Sequence, residues 1–112
     1  MKTLNDLIIY NKALDLVKKT YKLINSNQIL KSDFSLADQL KRASVSIAAN
    51  ISEGYFRSRK QTKNYLEIAS GSSNEMVTLL RIVFIIYQIV TKELQSEYII
   101  LGKQINSFSK SF

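Results

Sequence analysis

The chain has 112 residues, 46% of them apolar, with three Gly, no Pro, Cys, Trp or His, and 16 Lys and Arg against nine Asp and Glu, a net charge of +7. That length suits one domain over residues 1–112, with enough apolar content to exclude a disordered chain. The missing Cys and His exclude disulfide scaffolds, thiolate zinc sites, thiol catalysis and the commonest general base and metal ligand.

The N-terminal stretch MKTLNDLIIYNKALDLV contains Asp6 and Asp15 and no small-residue cleavage site. It does not read as a secretory signal. Within it, Leu7, Tyr10, Leu14, Val17, Tyr21 and Ile24 step by three and four, which predicts a first helix over 5–26. Residues 25–33 are polar and predict a connection. Leu36, Leu40, Ala43, Ile47 and Ile51 predict a second helix over 34–54. Ser35 and Asp38 resemble a capping box at its start, and Gly54 stands where a C′ glycine would stop it.

Ser58 with Gln61 fits S-x-x-Q at the start of a third helix, 59–90. Its apolar stripe is Leu66, Ala69, Ser73, Met76, Leu80, Val83, Tyr87 and Val90. A second stripe runs beside it through Ile68, Ser72, Glu75, Leu79, Ile82, Ile86 and Ile89. A helix apolar around more than half its girth needs cover on several sides, so a neighbouring copy is expected. The run 76–90 contains Arg81 and Gln88 and is shorter than the ~18–20 residues of a membrane span. No membrane association is expected, and the cytoplasm is the expected compartment. Leu94, Tyr98, Leu101, Ile105, Phe108 and Phe112 predict a fourth helix over 93–109. The expected fold is all-α, an antiparallel up-down four-helix bundle.

Polar residues recur inside this greasy frame. Arg42, Ser46, Asn50 and Glu53 line up along the second helix at 100° per residue. Ser72 and Glu75 sit on the third helix. A buried Glu75 needs a counter-ion, and Arg42 is the candidate. These six residues are expected to form a structural polar network that sets helix register. Gly71 in mid-helix is costly unless another backbone or a ring packs against it. Glu53 and Glu75 as an acid–base pair would be the enzymatic reading. No nucleophile beside a base, metal-ligand set or phosphate-cradling loop supports it, so no enzyme activity, catalytic residue, metal or cofactor is expected.

The segments QLKRASVSIAANISEGYFRS (39–58) and NYLEIASGSSNEMVTLL (64–80) resemble the four-helix-bundle family of bacterial 23S rRNA intervening-sequence proteins. The family pattern runs roughly Q-x-x-R-A-x-x-S-I-x-x-N-I-x-E-G, then F/Y-L-x-I-A-x-G-S-x-x-E. Gln39, Arg42, Ala43, Ser46, Asn50, Glu53, Gly54, Gly71, Ser72 and Glu75 are among the matches. Ser70 stands where the family is often basic, and Ser73 where it is usually apolar. The resemblance implies a small antiparallel bundle with no attributed enzyme activity. It also implies kinship to the accessory protein of diversity-generating retroelements, a homopentamer that binds nucleic acid and a reverse transcriptase. A homo-oligomer, a pentamer above other counts, is the resulting expectation.

Residues 1–56 carry eight basic and five acidic groups, and residues 57–112 eight and four. With no basic tail, any polyanion-binding patch must come from folding. Lys18, Lys19 and Lys22 form one candidate RNA- or DNA-binding group. Arg57, Arg59, Lys60 and Lys63 form the other, beside Tyr55 and Phe56. Four cations at a helix N-terminus oppose the macrodipole, so the second cluster works against local stability. Repeated around an oligomer, such patches would bind phosphate with little sequence specificity. The alternative is a protein–protein scaffold whose charge serves solubility. Tyr55 and Phe56 are expected in the core or an interface before a base-stacking role.

Overall fold

The computed structural model of the chain describes Leu4 and residues 7–112. It contains α1 (Ile8–Asn25), α2 (Gln28–Ser32), α3 (Phe34–Gly54), α4 (Arg59–Tyr87) and α5 (Lys92–Ser109), and no strand among the described residues. The four long helices are those the periodicity predicts; residues 5 and 6 of the expected first helix lie outside the described residues. α4 has 29 residues, about 43 Å of helix at 1.5 Å per residue, which accounts for the 44 Å long axis of the molecule.

α4 is the central element. It packs extensively on both α3 and α5, and α1 closes the bundle on α3 and α5. Side-chain hydrogen bonds show the antiparallel register directly. Between α4 and α5 they join Thr91 to the Leu80 carbonyl, Ser73 to the Tyr98 carbonyl and Arg59 to the Ser111 carbonyl. As one partner moves back along the chain, the other moves forward. Between α3 and α4, Thr62 bonds the Gly54 carbonyl at one end and Tyr87 bonds Asp33 at the other.

The core stripes of α3, α4 and α5 fall where the spacing puts them except at their ends, where Val90 (78%) and Phe112 (37%) are exposed because α4 stops at Tyr87 and α5 at Ser109. Leu36, Leu40, Ala43, Ile47, Ile51, Leu66, Ala69, Met76, Leu80, Val83, Tyr98, Leu101 and Ile105 are all buried. α1 differs. Its buried face is Ile9, Ala13, Leu16, Thr20 and Ile24, and Leu14 from the expected stripe is 44% exposed. Both sets have helical spacing, and the small Ala13 and polar Thr20 disguise the true one. Thr20 is buried because its hydroxyl bonds the Leu16 carbonyl at 2.8 Å and the Tyr98 hydroxyl at 2.6 Å.

The helix ends also bring corrections. α3 is capped by Asp33, which accepts from the Leu36 amide at 3.1 Å, and not by a box of Ser35 and Asp38. A carboxylate one residue before the helix reaches the free amide three positions on, which Ser35, already inside the first turn, does not. The stretch 25–33 is not wholly loop: α2 forms within it and buries Leu30. Ser58 caps α4 by accepting from the Gln61 amide at 3.3 Å, as expected. α4 stops at Tyr87, before the expected 90, because Gln88 turns left-handed with φ 55°. Gly54 has no positive φ. Its lack of a side chain serves close packing, since a Cβ there would stand 2.7 Å from Cβ of Tyr65.

Candidate nucleic-acid interface

α3 ends against the start of α4 at a tight corner. The Thr62 hydroxyl donates to the Gly54 carbonyl at 2.7 Å and the Arg57 carbonyl at 3.3 Å, and the Arg57 amide donates to the Gly54 carbonyl at 3.2 Å. This pins residues 54–62. Arg57 is held in turn: its guanidinium pairs with the Glu53 carboxylate, its Nε reaches the Glu53 carbonyl at 3.2 Å, and it lies 6.0 Å from the Tyr65 ring centroid. Arg59 donates to the Ser111 carbonyl at 3.2 Å. Lys60 and Lys63 are exposed and make no ion pair among the described residues. The fold therefore brings four cations to one corner, of which Arg57 alone has a carboxylate partner among the described residues.

The α1 group divides. Lys18 and Lys22 are exposed without an ion pair among the described residues. Lys19 is taken up by Glu97 of α5 at 2.8 Å and by Asp15 at 3.4 Å. Its hydrogen bond with Glu97 raises the Lys19 pKa, and the same bond lowers that of Glu97, which Lys12 also contacts at 3.1 Å. Nothing local in the sequence announces this cluster, because Glu97 is far along the chain and only the α1–α5 packing brings it in.

The polar residues of α3 and α4 meet in part. Ser46 and Ser72 share a hydrogen bond of 3.0 Å between the helices, and Asn50 donates to the Ser46 carbonyl and hydroxyl at 2.8 and 3.0 Å. Arg42 and Glu75 do not pair. Arg42 bonds Asp38 at 2.7 Å on its own helix, and Glu75 is exposed. The stripe carrying Glu75 is only partly covered, so its carboxylate stays in water and needs no counter-ion. Glu53 belongs to Arg57. Gly71 is exposed with nothing within 4 Å of a would-be Cβ, so no backbone or ring among the described residues explains it.

Besides single exposed side chains such as Phe34, apolar surface lies open in two clefts. The unburied stripe of α1 (Tyr10, Leu14, Val17) faces Val45, Ala48 and Ala49 of α3 across a groove of about 300 Å³. At the other end, Phe84, Ile85 and Val90 line a cleft of about 460 Å³ with Arg81, Lys92 and Gln95 on its walls. Ile85 is 70% and Val90 78% exposed. Among the described residues no three His, Cys, Asp or Glu side chains gather as a metal site, and no helix is long and apolar enough to cross a membrane.

Fold and corner together define a small antiparallel α-helical bundle with a basic, aromatic end. The chain belongs to the 23S rRNA-intervening sequence protein family, which it matches over residues 5–107. A crystal structure from Bacteroides thetaiotaomicron, of a protein with unknown function from the S23 ribosomal protein family, shares the fold with a TM-score of 0.84. It is 23% identical, and the match covers 92% of this chain and 99% of that one. No curated protein matches the sequence.

Proposed function

We propose that this protein is a non-enzymatic, cytoplasmic homo-oligomer that binds RNA or DNA through repeated basic patches. The observation that carries the reading is the α3–α4 corner, where Arg59, Lys60 and Lys63 stand exposed without a carboxylate partner among the described residues. Lys18 and Lys22 form a second, separate positive surface on α1; Lys19 adds nothing to it, because Glu97 and Asp15 occupy it. Contacts of this kind go to phosphate, so affinity falls steeply with salt and sequence matters little.

Assembly multiplies weak contacts. The groove between α1 and α3 and the cleft at Phe84, Ile85 and Val90 are two different apolar surfaces on one chain. Such a pair suits a head-to-tail contact that closes into a ring, and the family resemblance favours a pentamer. A protein scaffold is the second reading. The apolar cleft favours it, and a reverse transcriptase is the partner class the resemblance supplies.

A titration with structured RNA at several salt concentrations tests the first reading. Binding at ~50 mM salt that weakens linearly in log salt is expected. Binding indifferent to salt, or none, counts against it. Replacing Arg57, Arg59, Lys60 and Lys63 by Glu separates the readings: nucleic-acid retention is lost under the first and unchanged under the second. Mass in solution tests the assembly, and a folded single chain at high concentration rejects it.

A further inference from the structure

We propose that the α3–α4 corner is a stacking site for single-stranded nucleic acid, with the Phe56 ring as the platform and Lys60 and Lys63 as its phosphate contacts. This rests on the nucleic-acid reading above and names the strand class and the ring that reads it. Phe56 is 81% exposed, although a free phenylalanine ring normally finds cover. It is also fixed. The Tyr55 ring meets it edge-on, with centroids 4.7 Å apart and planes at 83°. The hydrogen bonds of Thr62 and Arg57 hold the backbone on either side. A ring on a pinned backbone loses less freedom than one on a mobile loop when a flat partner stacks on it.

Charge selects the partner. Arg59, Lys60 and Lys63 follow the ring within a turn or two of helix, so a second copy laying the same corner here would set like charges together. A polyanion with flat apolar faces fits both features. In a duplex those faces are already stacked on one another, whereas a single strand offers them freely. Further along α4, Gln61, Asn64, Tyr65 and Ile68 line an open cleft of about 320 Å³, which supplies amide groups and a second ring for a neighbouring base.

The natural chain has no Trp, so Phe56→Trp places a lone indole reporter at the corner. The probes are oligothymidylate and a DNA duplex of the same length, titrated against the full chain. Indole fluorescence is expected to quench with the single strand and to change little with the duplex. Phe56→Ala is expected to weaken single-strand binding about five- to tenfold and to leave the salt slope intact. Lys60→Ala with Lys63→Ala is expected to flatten that slope by about 1.4. The ring is exposed, so circular dichroism of the Phe56 variants should match the parent. Binding of both probes with Phe56→Ala neutral, or with the indole unquenched, overturns the stacking site and leaves the broader reading standing. No binding of either probe at ~50 mM salt overturns both.

Discussion

Tyr87 at the end of α4 donates its hydroxyl to Asp33 Oδ2 at 2.7 Å, while Oδ1 of the same carboxylate accepts the Leu36 amide at 3.1 Å. One side chain thus caps α3 and ties it to the far end of α4. The Tyr87 bond, then the amide, hold the Asp33 pKa below its ordinary value of 3.8. A carboxyl more acidic in the folded state stabilises the fold above its unfolded pKa, and that contribution disappears as pH falls through the folded value. Asp33→Ala should lower stability at neutral pH and flatten the loss on acidification below about pH 4. Denaturant melts at neutral and acid pH check this, and equal stability of both proteins at neutral pH rejects it.

Tyr98 behaves in the opposite sense. Its hydroxyl is buried between Thr20 Oγ1 at 2.6 Å and the Leu16 carbonyl at 3.1 Å. Burial above all raises its pKa beyond the ordinary 10.0. The folded state therefore keeps the proton, and its stabilising effect is complete below pH ~10 and lost as pH climbs above it. Tyr98→Phe should cost about 1 kcal/mol at neutral pH, since Thr20 retains the Leu16 carbonyl. It should also remove part of the alkaline instability. Melting curves from neutral to alkaline pH, with phenolate absorbance, measure both effects.

The helical glycines predict changes of opposite sign. A Cβ at Gly54 stands 2.7 Å from Cβ of Tyr65, an atom that cannot swing aside, so Gly54→Ala should destabilise by about 1–3 kcal/mol. Gly71 faces open space, so Gly71→Ala should stabilise the chain by about 0.5–1 kcal/mol through helix propensity. Thermal melts of dilute protein distinguish them. A lower Tm for Gly71→Ala that depends on protein concentration would place a second copy against that helix face.

Glu97 holds Lys12 at 3.1 Å and Lys19 at 2.8 Å. Glu97→Gln removes that charge and, among the described residues, leaves Asp15 as the remaining carboxylate near the two lysines, at 3.8 and 3.4 Å. Nucleic-acid affinity at low salt should rise, and the salt slope should steepen by up to about 0.9 for each cation engaged. Anisotropy titrations at several salt concentrations read it. Unchanged affinity would exclude the α1 face from the interface.

Helix periodicity, the absence of Pro and the S-x-x-Q start of α4 were enough to determine an all-α bundle and most of its core, because spacing of three and four admits one regular structure. The basic composition and the run 57–63 were equally open to reading. The buried side of α1 was not, since two stripes share its spacing and only packing on α3 and α5 selects the one with Ala13 and Thr20. Ion pairing needed the tertiary structure for the same reason: Glu97 claims Lys19 across helices, and Arg42 turns to Asp38 rather than Glu75. So did the exposure of Phe56. Whether a ring is hidden depends on which helix ends meet around it, and the pinned α3–α4 corner leaves this one in water. Local sequence governs backbone form; distance in space, which the chain order does not encode, governs which charges cancel and which rings stay open.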